Sequence, residues 1–182
     1  LPDLLSDAEV DLPTYQAAFR EASVDGRWEE LRSLETEKRP FLQDHLARNQ
    51  FQDDIRLRVS NHRDAFLKIQ AWVGAKTMYL EEREAIANVS DARLHLGLLN
   101  AYDNEKQDMF TSAVTSLRTA GDEIRAAEYK TELSQWQYEK PQEVRALEVQ
   151  VDSMWETLTG LSDEKRRVLD DQQRSDREAL AM

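Results

Sequence analysis

The sequence of 182 residues has no cysteine, and it contains only five glycines and four prolines. The lack of cysteine excludes a disulfide framework, a thiolate metal site and a thiol nucleophile, and it suits a reducing intracellular compartment. The scarcity of turn-forming residues favours a few long elements over many short ones. Strands are not indicated, because apolar residues do not alternate with period two and helix formers dominate the composition. The expected fold class is therefore all-α.

Basic residues are also in short supply, with 24 Lys and Arg against 36 Asp and Glu and a formal net charge of -12. A nucleic-acid partner is not expected, because phosphate binding needs clustered cations on a positive face. No run approaches the ~18 to 20 apolar residues of a membrane span, and residues 1–5 lack the basic region of a signal peptide. We expect a cytoplasmic chain without a membrane span.

Side chains for catalysis or metal binding do not form a recognisable motif. Metal sites in helical bundles use Glu-x-x-His pairs, but the residues three positions before the histidines are Leu42, Val59 and Ala92. Calcium loops, P-loops, nucleophile elbows and dinucleotide fingerprints are also missing. We therefore expect no catalytic, metal-binding or cofactor-binding residues and no enzymatic activity. The histidines are expected on the surface or on a helix flank: His45, His62 and His95.

Apolar residues recur in steps of three and four from Trp28 to Leu80, which is a heptad pattern. The pattern predicts one long helix from about residue 26 to about residue 87, on the order of 90 Å at ~1.5 Å per residue. Its interruption is Pro40, where a bend would relieve the ~3 kcal/mol cost of an interior proline. The segment Phe41–Phe66 is expected to be continuously helical, because neither Gly nor Pro follows until Gly74.

Two further helices are predicted. Ser90 with Asp91 offers a cap for the second helix, and Gly121 leaves open whether this helix continues beyond it. Pro141 is placed in the first turn of the third helix, which runs to about residue 178. Short connections make such helices run up, down and up, so we expect a three-helix bundle, a left-handed coiled coil with a long projecting first helix. We divide the chain into a partly ordered lead-in, a helical linker or end of a preceding repeat, a three-helix repeat and a tail: residues 1–22, 23–60, 61–178 and 179–182.

The predicted core consists of positions on the apolar stripes of the three helices. These positions are Phe66, Ile69, Trp72, Val73, Leu80, Leu94, Leu98, Tyr102, Phe110, Leu117, Leu147, Val151, Trp155 and Leu158. Trp72 and Trp155 are expected to be largely buried in this core. Trp136 and Tyr138 are expected either to cap the bundle end or to contact a partner. The basic run 165–167 is expected on a solvated face, paired with nearby aspartates.

Two tryptophan-containing segments resemble the pattern of spectrin-type repeats. One is Phe66-Leu-Lys-Ile69-Gln-Ala-Trp72-Val73 in the first predicted helix, and the other is Val151-Asp-Ser-Met-Trp155-Glu-Thr-Leu158 in the third. Spectrin-type repeats similarly carry one Trp in each of these helices, packed in the same core. The segment Trp28-Glu-Glu-Leu31, 44 residues before Trp72, is similar to the third helix of a preceding repeat that runs on into the next.

Within this family, the order of motifs is most similar to the end of the α-actinin rod. The likeness covers about residues 25–175, and Pro40 and residues 1–22 depart from it. The motifs, in order, are His45-Leu-Ala-Arg48-Asn-Gln50 with Phe51, the Trp72 segment, Leu117-Arg-Thr-Ala-Gly121-Asp122 and Trp155-Glu-Thr-Leu158.

This resemblance implies a structural rod segment of an actin-crosslinking cytoskeletal protein, acting as a spacer and as an antiparallel dimerisation element. Actin would be bound through flanking domains outside this sequence. An alternative is an adaptor or scaffold repeat of the plakin or dystrophin type, which presents a binding surface to a partner protein. A tight homodimer is expected in the first case and a monomer in the second.

The homodimer interface is expected on the first helix. Ile55 and Val59 are expected to lie beyond the reach of the chain's own second and third helices, yet helices owe most of their stability to packing. A partner chain would supply that packing, and two-fold closure makes the pairing antiparallel. Arginines would pair with acidic residues across the interface and so offset the repulsion between two acidic chains. The expected interface residues are Ile55, Arg56, Val59 and Arg63.

Overall fold

The computed structural model describes residues 12–181, which form four α-helices, one π-helical turn and one small hairpin. Helices α2 and α3 are joined by the π turn into one continuous stretch, which we call the second helix. The expected fold class is confirmed, because three long helices pack together as a bundle and the first of them is long. The bounds are Leu12–Glu81 for α1, Val89–Met109 for α2, Phe110–Val114 for the π turn, Thr115–Ala126 for α3 and Pro141–Ala181 for α4.

Helix α1 is longer at its start and shorter at its end than expected. It begins at Leu12 instead of about residue 26, so residues 12–22 of the expected lead-in are helical, and residues 1–11 lie outside the described residues. It ends at Glu81 instead of about residue 87. The helix passes through Pro40 without interruption, and the expected continuity of Phe41–Phe66 is confirmed. Pro40 has no N–H for one intrahelical hydrogen bond, yet helical turns continue on both sides of it.

The second helix begins at a different cap from the expected one. The side-chain oxygen of Asn88 accepts a hydrogen bond of 3.0 Å from the backbone N–H of Asp91, so Asn88 is the N-cap and the assignment to Ser90 is wrong. The Asp91 carboxylate in turn accepts from the backbone N–H of Ala87 at 3.2 Å. The first of these bonds satisfies an N–H that the helix start leaves free, and the second ties the residue before the N-cap to the first turn. At its other end, the helix continues past Gly121 to Ala126.

The π turn was not expected from the sequence, and it shifts the buried face of the second helix by one residue. Ala92 and Leu99 are buried seven residues apart before the turn, and Val114 and Gly121 are buried seven apart after it. Leu99 and Val114, however, are 15 residues apart, one more than two heptads. The extra residue loosens the local hydrogen bonding. Side-chain hydroxyls there donate to backbone carbonyls, for example Thr115 to Phe110 at 3.0 Å.

A two-stranded antiparallel hairpin between the second helix and α4 was not predicted. Strand β1, Glu128–Lys130, pairs with β2, Gln135–Gln137, and Tyr129 lies opposite Trp136. Three-residue strands are too short to show a periodic pattern. The rings of Trp136 and Tyr138 pack against a small cluster of buried residues, as the capping alternative expected. That cluster consists of Ile55, Ile124 and Val144.

The chain divides into two compact units. One contains the residues up to Asn49 together with Thr131–Ser134, and the other contains Gln50–Lys130 and the residues from Gln135 onward. In the first unit, Asp44 accepts hydrogen bonds from the hydroxyls of Thr131, at 2.6 Å, and Ser134, at 2.5 Å. The second unit contains both clusters of buried apolar residues.

The main core lies between α1, the second helix and α4. Eight of the expected core residues are buried: Phe66, Ile69, Val73, Leu80, Tyr102, Leu117, Val151 and Leu158. Four more are half-buried and pack against them: Trp72, Phe110, Leu147 and Trp155. The two tryptophans are thus less buried than expected, although their rings stack with centroids 5.6 Å apart. The indole N–H of Trp72 stays near the surface because it donates to Glu105 at 2.8 Å.

Leu94 and Leu98 were expected in the core, and this assignment is wrong. Their exposed fractions are 62% and 47%, whereas the next residue, Leu99, is fully buried. Ala92, Leu99 and Tyr102 form the inward face of α2. Leu94 lies about 200° around the helix from Ala92 at 3.6 residues per turn, so it faces outward. The apolar residues at the start of α2 therefore occupy a wider part of the helix surface than the part that packs against the core.

The substitutions Leu99→Ala and Leu94→Ala form a matched pair on α2. We expect Leu99→Ala to lower the free energy of unfolding by about 2–5 kcal/mol, because it opens a cavity in the main core. Leu94→Ala should change it by less than about 0.5 kcal/mol, because that side chain is exposed. Urea denaturation followed by circular dichroism measures both values. Equal losses in the two variants would contradict the observed orientation of α2.

Candidate functional site

A groove runs between α1 and the second helix beside the π turn, and we call it the π groove. Its volume is about 530 Å³. Its lining is largely apolar and combines small side chains with larger ones: Ala65, Ala113 and Ala120, and Ile69, Met109 and Leu117. Exposed charged residues border it, with Arg58 and Lys68 on α1 and Glu123 on α3. This combination of an apolar lining and a charged border suits a helix better than a compact polar ligand.

A second groove, of about 310 Å³, lies on the other side of α1, against α4. Two of the residues expected in a dimer interface, Val59 and Arg63, line it. His62 lines both this groove and the π groove. His62 is therefore the residue that the two grooves share.

Next to His62, the carboxylate of Glu148 is buried with an exposed fraction of 1%. Burying a charge is costly unless opposite charges and hydrogen bonds compensate it. Here the Arg125 guanidinium donates to one carboxylate oxygen at 2.8 Å, and the Arg145 guanidinium donates to the other at 3.0 Å. Arg125 also pairs with Asp122. Glu148 thus connects α4 to α3 through a compensated ion pair.

His62 itself has an exposed fraction of 2%, so its expected surface position is wrong. Its Nε2 lies 3.7 Å from Oε1 of Glu148, and this nitrogen has no hydrogen-bond partner among the described residues. Burial lowers the pKa of His62, Glu148 opposes that change, and the Arg125 charge reinforces it. The lowered pKa favours a neutral imidazole inside this cluster.

Position 121 has no space for a side chain beside Glu148, so it is occupied by glycine. A Cβ atom built on Gly121 would lie 1.8 Å from Oε1 of Glu148, far inside contact distance. The missing side chain on α3 therefore makes room for the buried carboxylate of α4. This close approach explains why a glycine interrupts the sequence pattern without ending the helix.

A second buried charge sits at the end of α1. Lys165 was expected to be solvated, but its exposed fraction is 1% and that assignment is wrong. Its ammonium donates to the backbone carbonyls of Tyr79 at 2.9 Å and Glu82 at 2.8 Å, and to the carboxylate of Glu84 at 2.6 Å. A cation at this place satisfies carbonyls that the helix end leaves free and interacts favourably with the helix dipole. Lys165 is thus a structural cap supplied by α4.

The other two residues of the basic run are more exposed. Arg166 pairs with Asp103 on α2. Arg167 pairs with Glu164 at 2.9 Å and with Asp171 at 3.8 Å, so its expected pairing along the surface of α4 includes one of the nearby aspartates.

The residues expected in a dimer interface have different environments. Ile55 has an exposed fraction of 1% and packs with Ile124 and Val144 of the same chain. Val59 is half-buried against the same cluster. The expectation that these two lie beyond the chain's own helices is therefore wrong. Arg56 and Arg63 are exposed, and Arg56 pairs with Asp53 at 3.1 Å.

A row of exposed apolar side chains lies earlier on α1. Its members recur in steps of three and four, with one step of eight across Glu35 and Lys38, and we call them the apolar stripe. They are Val24, Trp28, Leu31, Leu34, Leu42 and Leu46, and all are exposed. Exposed apolar side chains that line up along one face of a helix mark an interaction surface.

Comparison of the sequence with protein-family models and with curated protein sequences finds no match. The likeness to spectrin-type repeats therefore stays a prediction, whereas the three-helix bundle is observed. Within residues 12–181, no cluster of three or more His, Asp or Glu side chains could hold a metal ion. None of the described helices is both long enough and apolar enough to cross a membrane.

The lowered pKa of His62 makes folding stability depend on pH. The reference pKa is 6.5. At a pH between this value and the lower pKa of the folded state, the unfolded chain binds a proton that the folded chain does not. The free energy of unfolding should therefore fall as the pH is lowered through this window. We expect a smaller fall between pH 7 and 5 in His62→Gln than in the control His45→Gln, measured by urea denaturation. An equal dependence of the unfolding free energy on pH in the two variants would contradict a lowered pKa for His62.

Glycine substitutions test the approach of Glu148 to α3. Gly121→Ala should lower the free energy of unfolding by about 1–3 kcal/mol, because the new methyl group displaces the buried carboxylate from Arg125. The control is Gly160→Ala, where the added carbon has no atom within 4 Å apart from the local backbone of its own helix and its two chain neighbours. There we expect a gain of up to ~1 kcal/mol, because alanine is the better helix former. If the two variants had the same free energy of unfolding, the close approach of the Glu148 carboxylate to α3 would be disproved.

Proposed function

We propose that this chain is a structural segment of an actin-crosslinking cytoskeletal protein, acting as a spacer and as an antiparallel dimerisation element. The observation that carries the proposal is the apolar stripe of α1, which the chain leaves exposed to water. Burying one leucine fully stabilises an assembly by roughly 1.5–3 kcal/mol. The leucines of the stripe therefore offer a substantial driving force for association with a partner chain.

The length and continuity of α1 support the role of a spacer. It runs for 70 residues, including Pro40, with no break. A mean globular helix has only about 11–12 residues, so a helix of this length is unusual for a compact binding or catalytic domain. A continuous helix transmits force along its axis, because each turn is hydrogen-bonded to the next.

The link to actin comes from the resemblance to the end of the α-actinin rod. The order of its motifs along the sequence supports this part of the proposal, together with the observed three-helix bundle. The proposal places actin binding in flanking domains outside this sequence. Dimerisation would then set the distance and the antiparallel orientation of two such domains.

The second candidate is an adaptor repeat of the plakin or dystrophin type, which would act as a monomer. The π groove favours it, because an apolar groove between two helices can receive an amphipathic helix of a partner protein. The two candidates differ in the mass of the purified chain in solution.

Sedimentation equilibrium at micromolar concentration measures this mass. The chain has a mass of 21.1 kDa, so the dimer proposal expects about 42 kDa. The variant Leu31→Asp should shift the equilibrium towards monomer, because it places a charge on the apolar stripe. The control Leu57→Asp changes an exposed leucine of α1 outside the stripe and should leave the dimer intact.

A mass of about 21 kDa for the unmodified chain at all concentrations would overturn the dimer proposal and favour the adaptor. Equal dissociation of the Leu31→Asp and Leu57→Asp dimers would show that the stripe has no special role.

A further inference from the structure

The apolar stripe of α1 has two charged residues at its centre. Glu35 and Lys38 occupy the step between Leu34 and Leu42, and both are exposed. They lie on the face of the stripe, because positions 28, 31, 35, 38 and 42 fall within about 80° around the helix. These positions follow one another in steps of three and four, which is the spacing of a coiled-coil seam.

Within the first compact unit, the hairpin leaves this face of α1 open. Its residues Thr131 and Ser134 bind α1 through the carboxylate of Asp44. Asp44 lies about 160° around the helix from Leu42. Leu31 and Leu42 accordingly have exposed fractions of 54% and 68%.

The two central charges are available to a partner. Lys38 forms no ion pair among the described residues. Glu35 pairs with Arg39, which contacts only its Oε1 atom, and the side chains of this pair are both 62% exposed. The other carboxylate oxygen of Glu35 can therefore accept from a second cation.

We propose that the apolar stripe packs against the same stripe of a second copy in antiparallel orientation, with Glu35 of each copy facing Lys38 of the other. This inference rests on the proposed homodimer and names its contact. With the two-fold axis between residues 36 and 37, Leu31 of each copy also faces Leu42 of the other. The symmetry repeats every contact, so one self-complementary surface suffices.

The central charges set the orientation. A parallel pair in the same register would place Glu35 against Glu35 and Lys38 against Lys38, so that like charges would repel. The antiparallel pair converts both layers into pairs of opposite charge. A polar layer in an apolar seam fixes the register of two helices at some cost in stability.

Apolar side chains meet on one edge of this contact. Trp28 lies next to Leu46 of the other copy, and Leu34 lies next to Phe41. All four are exposed in the single chain, and the pairing would remove them from water.

The arginines Arg32 and Arg39 of the two copies approach each other on the edge of the seam. Each already pairs with a glutamate of its own helix, Arg32 with Glu29 at 3.9 Å and Arg39 with Glu35. These pairs reduce the repulsion between the arginines.

Because the sequence has no cysteine, single-cysteine variants test the pairing directly. A mixture of Leu31→Cys and Leu42→Cys should form disulfides between the two variants under mild oxidation, since facing positions are within disulfide reach. Each variant alone should form few, because the two copies of position 31 would lie about 16 Å apart along the helices. Mass spectrometry identifies the linked species, and circular dichroism and sedimentation confirm that each variant is folded and dimeric.

Charge reversal is an independent test. Lys38→Glu acts twice in a two-fold dimer and should raise the dimer dissociation constant by about tenfold at low salt. The double variant Glu35→Lys with Lys38→Glu should restore it to within about threefold of the unmodified chain. The control is Lys68→Glu, which makes the same charge change at an exposed position of α1 outside the stripe and should leave the constant unchanged.

Disulfides formed by each cysteine variant with itself would indicate a parallel pair and overturn the contact. A dimeric mixture without disulfides between positions 31 and 42 would overturn it while leaving the proposed homodimer in place. A dissociation constant unchanged by Lys38→Glu, or not restored in the double variant, would also overturn it. An unmodified chain that stays monomeric would remove both the contact and the homodimer.

Discussion

The burial of the apolar face of α1 is the constraint on which the rest of the structure depends. From Ile55 to Leu80 this face is covered by the chain's own second helix and α4, and the residues on it are among the most buried. From Val24 to Leu46 the apolar residues of the same helix are exposed. A helix gains most of its stability in water from packing such a face. The covered part explains the bundle, and the exposed part is the physical reason to propose a partner chain.

Among the described residues, ionisable side chains interrupt the buried faces at three places, and Ser162 is a further buried polar residue. His62 lies between Val59 and Phe66 on the inner face of α1, Glu148 lies between Val144 and Val151 on α4, and Lys165 lies between Leu158 and Leu169. Each ionised group is compensated by a specific partner on another helix, Arg125 for Glu148 and the carbonyls at the end of α1 for Lys165. Such pairs contribute little net stability compared with apolar packing, but they are costly to misalign. They therefore favour one register of α4 against the other helices.

Hydrophobic periodicity made the all-α class and the long first helix predictable, because many residues share the same spacing of three and four. The features that could not be predicted depend on single residues. The second helix begins at the Asn88 cap, and Ala92 and Leu99 turn inward while Leu94 and Leu98 stay exposed. The π turn then moves the buried face by one residue, which no composition signal shows. His62, Glu148 and Lys165 do carry a signal, because each occupies a heptad position between buried apolar residues. In this chain these three polar residues, which stand among buried apolar residues, belong to the buried side of their helices.

The central claim is that a second copy covers the apolar stripe of α1. Amide hydrogen exchange of residues 24–46, measured across protein concentrations from far below to far above the dimer dissociation constant, tests it most directly. The account predicts that protection of these amides rises with the dimer fraction, while residues 144–158 of α4 keep constant protection. Protection of residues 24–46 that does not change with concentration, in a sample whose mass shows that it dimerises, would contradict it.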